Sequence, residues 1–200
     1  MRGRENHAFR LGADENRRMV FFAVDSTDAD ITAEIGADAK LRLLLLFVGA
    51  ANDSVRARIH VRHRGANSAS EVIVRGVLYD TGSAAIEGSL FVEAKTRGVS
   101  ARFEGKALLE GSGSAEILPM LEVLTPNVHS VRHAASVSRL SPEERLYLES
   151  RGLDASESVQ IAAEGFLKAP FSCAIEIPEE YEIFKKKLKK ASVKEASINR

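Results

Sequence analysis

From about Met19 to Leu140 the chain is cut into short, β-branched segments separated by glycine, and nothing in that span sustains the 3.6-residue apolar period of a long helix. A helical bundle is therefore excluded for this part of the chain. Strands are predicted over residues 20–24, 41–48, 55–61, 72–79, 86–92 and 99–109. The clearest runs from Val55 to Arg62, where Val55, Ala57, Ile59 and Val61 alternate with Arg56, Arg58, His60 and Arg62. One face of that strand belongs in a core and the other in water. Glycines such as Gly49, Gly65, Gly82, Gly98 and Gly111 fall between the segments, where a sharp corner needs a residue without a Cβ. No exact repeat is visible. Evenly spaced short strands fit a sandwich or a coiled solenoid equally well, and the pattern by itself does not choose.

The character changes at Ser141. Ser141-Pro142-Glu143-Glu144 supplies a capping hydroxyl, a proline at the first helical position and a glutamate three residues after the cap. A helix starts there, and Gly152 is placed to end it in the left-handed conformation. Asp154-Ala155-Ser156-Glu157 repeats the capping pattern and opens a second helix, whose expected apolar stripe is Val159, Ile161, Ala162 and Phe166. A third helix is predicted over residues 178–190. The expected organisation is a flexible N-terminus (1–15), a β core (16–140), a small helical subdomain (141–190) and a flexible tail (191–200), with the helices covering the exposed end of the stack of strands.

The chemistry available is limited. The 28 basic and 28 acidic residues balance, so no global field recruits nucleic acid or an anionic membrane. The longest apolar block, residues 43–48, is far short of the ~20 residues of a membrane-spanning helix, and the basic start lacks the apolar run of a secretory signal. A cytoplasmic location is expected. Cys173 is the single cysteine, which excludes an internal disulfide and a self-sufficient four-cysteine zinc or iron–sulfur site. Its apolar neighbours suggest a small buried hydrophobe rather than a reactive thiol. His60 and His63 are read as solvent-facing, and His129 and His133 stand ~13 Å apart along a strand, too far to share one metal.

Catalytic templates fail. Residues 100–107 approximate a phosphate-binding loop but carry Ser100 for its first glycine and Ala107 for its magnesium-binding hydroxyl, and Gly111-Ser112-Gly113-Ser114 is no nucleophile elbow. No enzyme is expected. The arginines from Arg56 to Arg64 could bind phosphates, but no aromatic side chain interleaves with them to stack bases, so nucleic acid is not the expected partner. Residues 185–190, rich in lysine, suit a solvated helix end.

Three pieces in order give the most specific signal: His133-Ala134-Ala135-Ser136, then Leu146-Tyr147-Leu148-Glu149-Ser150-Arg151-Gly152-Leu153, then Glu164-Gly165-Phe166-Leu167. In sequence and spacing they resemble the end of the core in the SufB/SufD family of iron–sulfur cluster assembly proteins. The resemblance implies a mainly β fold, a right-handed parallel β-helix followed by a small C-terminal helical subdomain. It implies an accessory or scaffold role in SUF-type assembly, without catalysis. It makes His133 a candidate ligand or proton-handling group in cluster assembly, and Tyr147, Arg151, Gly152, Gly165 and Phe166 candidates for partner binding. The implied partners are a SufC-like ABC-type ATPase, docked on the helices, and a SufB-like chain or a second identical copy.

SufB-type scaffolds carry glutamate directly after this histidine and a cysteine upstream, where this chain has Ala134 and no cysteine. That places it on the SufD-like side, with no cluster bound stably by this chain alone and any cluster held transiently within a complex. Two other readings stand beside this one: a self-associating solenoid module without a cluster role, and an anion- or nucleic-acid-binding protein using the Arg56 to Arg64 row.

Overall fold

The computed structural model describes residues 4–171 together with 181, 182, 184–186 and 188. Along them run β1 (Glu5–Leu11), β2 (Asn16–Val24), β3 (Thr27–Ile35), β4 (Lys40–Gly49), β5 (Ser54–His63), β6 (Ala69–Asp80), β7 (Ser83–Val92), β8 (Val99–Gly111), β9 (Ser114–Val123) and β10 (Val128–Arg139). The odd strands form one sheet in the order β1-β3-β5-β7-β9, and the even strands form the other in the order β10-β8-β6-β4-β2. Every pairing is parallel and joins a strand to the one two places later. The backbone therefore passes through one strand of each sheet per coil, a β-solenoid of about four turns. An antiparallel sandwich is ruled out.

The repeat lies in the corners rather than in the residue identities. Asp14, Asp38, Asn67 and Gly98 each adopt positive φ at one corner of successive coils, and Asp25, Ala51, Asp80 and Gly111 do so at the other. Asp and Asn tolerate this left-handed geometry better than other side chains. The first set stacks through the backbone: the N–H groups of Asp14, Asp38, Asn67 and Gly98 donate to the carbonyls of Ala37, Ala66, Arg97 and Asn127 in the next coil. Asn67 Nδ2 adds a 3.1 Å hydrogen bond to Asp38 Oδ1.

In-register parallel pairing keeps each residue facing the same way as its neighbours in adjacent coils. On β5 the alternation holds as predicted: Val55, Ala57, Ile59 and Val61 are buried between the sheets while Arg56, His60 and Arg62 are exposed. The interior is close-packed. The Phe47 ring occupies the place where a side chain on Gly76 would begin, 1.9 Å from an ideal Cβ, so that position admits only glycine.

β4 has a second apolar face. Leu41, Leu43, Leu45 and Phe47 join the interior core, while Leu44, Leu46 and Val48 point outward into a separate cluster with Ile73, Val77, Tyr79 and Leu108. That outer stripe decides where the helices go. α1 (Pro142–Ser150) and α2 (Ala155–Lys168) both begin with the predicted capping boxes, Ser141 with Glu144 and Asp154 with Glu157. Gly152, at φ 90°, ends the first turn region as expected. α2 lays Val159, Ala163 and Leu167 against the outer stripe, and Tyr181, Phe184 and Leu188 complete the cluster.

Several expectations are corrected. The helices do not cover the end of the solenoid; they flank the even-numbered sheet, because a sheet face apolar over several coils offers more area to bury than one coil end. The apolar stripe of α2 is Val159, Ala163 and Leu167 with Phe166 partly buried, and Ile161 faces solvent. The β core starts at Glu5 rather than residue 16, since β1 pairs with β3 along its whole length. Of the third predicted helix only residues 181, 182, 184–186 and 188 are described, all helical; the rest of 178–190, Cys173 and residues 191–200 lie outside the described residues.

Candidate functional site

His133 lies on β10, the edge strand of the even-numbered sheet, in register with the buried Phe103 of β8. It therefore belongs to the inward-facing row with Val131, Ala135 and Val137. It is nonetheless exposed, because among the described residues no further coil covers β9 and β10. The same open end leaves Val137 exposed on β10, while Leu118 and Met120 are exposed on the outward face of the edge strand β9. Two parallel strand edges with unpaired N–H and C=O groups thus stand beside a rim of apolar side chains and one imidazole. Long free edges of this kind are templates for pairing with another chain.

His129 does not converge on His133; it lines a groove at the start of the even strands. Among the described residues no group of three His, Cys, Asp or Glu side chains is gathered to hold a metal ion. A lone imidazole is a poor site for soft-metal cargo, so further ligands would have to come from another chain. Ala134 faces outward beside Glu104 of β8, whose carboxylate binds the Arg75 guanidinium at 2.5 Å and Lys106 at 3.2 Å. Burial works to raise the Glu104 carboxyl, and the hydrogen bonds from Lys106 and Arg102 with the Arg75 charge outweigh it, leaving it below the usual carboxylate range.

The helical candidates divide into two groups. α1 buries none of its side chains, and Leu146 and Tyr147 are 67% and 58% exposed. Arg151 lies over the Tyr147 ring, 5.2 Å from its centroid, so the two form one surface feature beside the exposed Gly152. Arg145 anchors this helix to the solenoid through Glu110 of β8 at 3.0 Å. Gly165 is exposed on α2, and a Cβ there would meet nothing within 4 Å. Phe166 instead turns toward the sheet, 5.3 Å below the Arg75 guanidinium, and holds α2 in place.

The arginine row read from the sequence is charge-compensated. Arg58 binds Asp28 at 2.9 Å and Asp30 at 2.6 Å, and Arg64 binds Glu34 at 2.9 Å and Glu93 at 3.3 Å. Arg62 reaches Glu93 at 3.5 Å and lies over the Phe91 ring. β5 is the central strand of its sheet, so the row does not blunt an edge either. His63 is a second correction: it is fully buried, with Nδ1 2.8 Å from Ser68 Oγ and Nε2 2.8 Å from Ser70 Oγ. Ser68 Oγ donates to the Gly65 carbonyl, so it accepts from Nδ1–H, and Nε2 accepts from Ser70.

A family model described as SUF system FeS cluster assembly, SufBD core domain, matches residues 20–166. The chain belongs to the SufBD core family. An iron–sulfur cluster assembly SufBD family protein of Staphylococcus saprophyticus is 30% identical over 122 residues, 60% of this chain and 25% of that protein. A similar stretch of the iron–sulfur cluster assembly protein SufB of Bacillus subtilis is 28% identical over 122 residues, again 60% of this chain and 25% of the relative. This SufBD core chain therefore spans about a quarter of the length of the curated relatives it matches. Among its described residues no helix is long and apolar enough to cross a membrane.

Proposed function

We propose that this chain is an accessory component of SUF-type iron–sulfur cluster assembly in the cytoplasm, pairing through its open solenoid end and docking a SufC-like ABC-type ATPase on α1 and α2. The observation that carries the docking is α1, a nine-residue helix with no fully buried side chain among the described residues, whose Leu146 and Tyr147 are exposed. A helix that short draws its stability from packing, so an unpacked apolar face is a face reserved for a partner. The chain itself performs no catalytic step; hydrolysis belongs to the ATPase. The cluster is cargo, and His133 offers it one donor at the pairing end, with the others supplied by a SufB-like chain.

The test is co-purification with the SufC-like ATPase encoded by the same source. Wild type should retain the ATPase; Leu146→Glu and Tyr147→Ala should each lose most of the binding with thermal melting unchanged. Retention of the ATPase by both variants sinks the reading. A self-associating module without a cluster role is the second reading, favoured by the unpaired edges of β9 and β10. Mixing with iron and sulfide in the presence of a SufB-like chain separates the two, because only the first requires the cluster's absorbance to fall in His133→Ala.

A further inference from the structure

The even-numbered sheet carries a basic groove that no sequence motif marks. Its outward row places Arg18, Arg42, Glu71, Arg102 and Arg132 side by side, one from each strand from β2 to β10. These residues are far apart in the chain and become neighbours only through the coil register, at about 4.8 Å per strand. The adjoining row supplies Ala69, Ser100 and Ser130, side chains small enough to leave a depression between longer walls. The groove has a volume of about 620 Å³, the size of a small-molecule site.

Its charge is only partly compensated. Glu71 is the one carboxylate lining it, 3.0 Å from Arg42 and 3.7 Å from Arg102, and from just outside it Glu104 also binds Arg102 and Glu15 binds Arg17. The Nε–H of Arg42 is buried with no acceptor aligned to it. The side chains of Arg18, Lys40 and Arg132 make no ion pair or hydrogen bond with any described residue, in contrast to Arg58, Arg62 and Arg64 on the other sheet. Arg18, Lys40 and Arg132 thus leave positive charge in the groove that Glu71 does not meet.

We propose that this groove binds a small linear oligophosphate. Guanidinium forks match phosphate oxygens two at a time, and an oligophosphate has a charge on every unit, suiting cations at strand spacing. An acidic peptide fits less well, because residues on one face of an extended chain recur only every ~6.6 Å. Nucleic acid fits least: no Phe, Tyr or Trp lines the groove, and the one imidazole, His129, is no platform for successive bases.

The test is calorimetric titration of the purified chain with tripolyphosphate at low ionic strength. Wild type should bind saturably. The double variant Arg18→Gln, Arg132→Gln should bind about tenfold more weakly or worse, the loss of two charge-assisted contacts. Ser130→Glu, which leaves every arginine in place and puts a carboxylate on the floor, should weaken binding as strongly. Arg56→Gln, an exposed arginine on the opposite sheet, should bind as wild type does. Absence of binding by wild type, an equal loss in Arg56→Gln, or tighter binding of an oligoglutamate that displaces tripolyphosphate would each overturn the proposal.

Discussion

His63 carries the sharpest consequence at the scale of single residues. Burial pushes its imidazole down to about 4, against about 6.5 in an unfolded chain. Between these values the unfolded state binds a proton that the folded state refuses, so stability falls as pH drops through about 6.5 and this group's penalty is complete below about 4. The full effect is on the order of 3 kcal/mol, with roughly 2 kcal/mol of it reached by pH 5. Urea denaturation at pH 7 and pH 5 should therefore show a larger loss in wild type than in His63→Asn, which lacks the titrating ring. Equal losses in the two proteins would remove His63 from the acid response. The alternation of β5 already put His63 on the inward row with Val61. The sequence could not reveal that Ser68 and Ser70, beyond the corner on the next strand, would satisfy both ring nitrogens and make burial tolerable. His133 is the opposite case, an inward position left in solvent because its coil is the last.

Among elements, α2 is used on two faces. Val159, Ala163 and Leu167 hold it to the sheet, while Ile161 and Gly165 lie on the side that no described residue covers. Glycine inside a helix costs about 1 kcal/mol relative to alanine, and here no neighbour within the chain forbids a methyl group. Gly165→Ala should therefore stabilise the protein by about 0.5–1 kcal/mol in denaturant titration and weaken the SufC-like ATPase several-fold in a binding assay. Higher stability with undiminished docking would free Gly165 from any role in the interface. The start of each helix was legible, because capping boxes are local chemistry written in four residues. The buried face was only partly so: Ile161 and Ala163 are similar enough in polarity that the choice rests on the outer stripe of Leu44, Ile73 and Val77, which lies far away in the chain.

At the scale of the whole molecule, strands and glycine corners were readable, but their winding was not, since the same alternation suits two antiparallel sheets. The regular device is a left-handed residue at each corner, filled by Asp, Asn, Ala or Gly, and a repeat of backbone geometry with changing residues leaves no repeat of letters. Register then creates what the linear chain hides, both the basic groove and the open end. The solenoid ends at β1 and β2 on one side and at β9 and β10 on the other, where the outer strand edges are free and Met120 and Val137 stand exposed. Pairing with a second solenoid would satisfy those backbone groups and bury the rim in one step, whereas two lysines there would have to be desolvated before the edges could meet. Light scattering of the purified chain, alone and mixed with a SufB-like chain, should detect a complex in at least one of the two samples. The double variant Met120→Lys, Val137→Lys should remain monomeric in both, with an unchanged thermal melt because both side chains are already exposed. A wild type that stays monomeric in both samples, or a variant that pairs as well as wild type, would assign association to another surface.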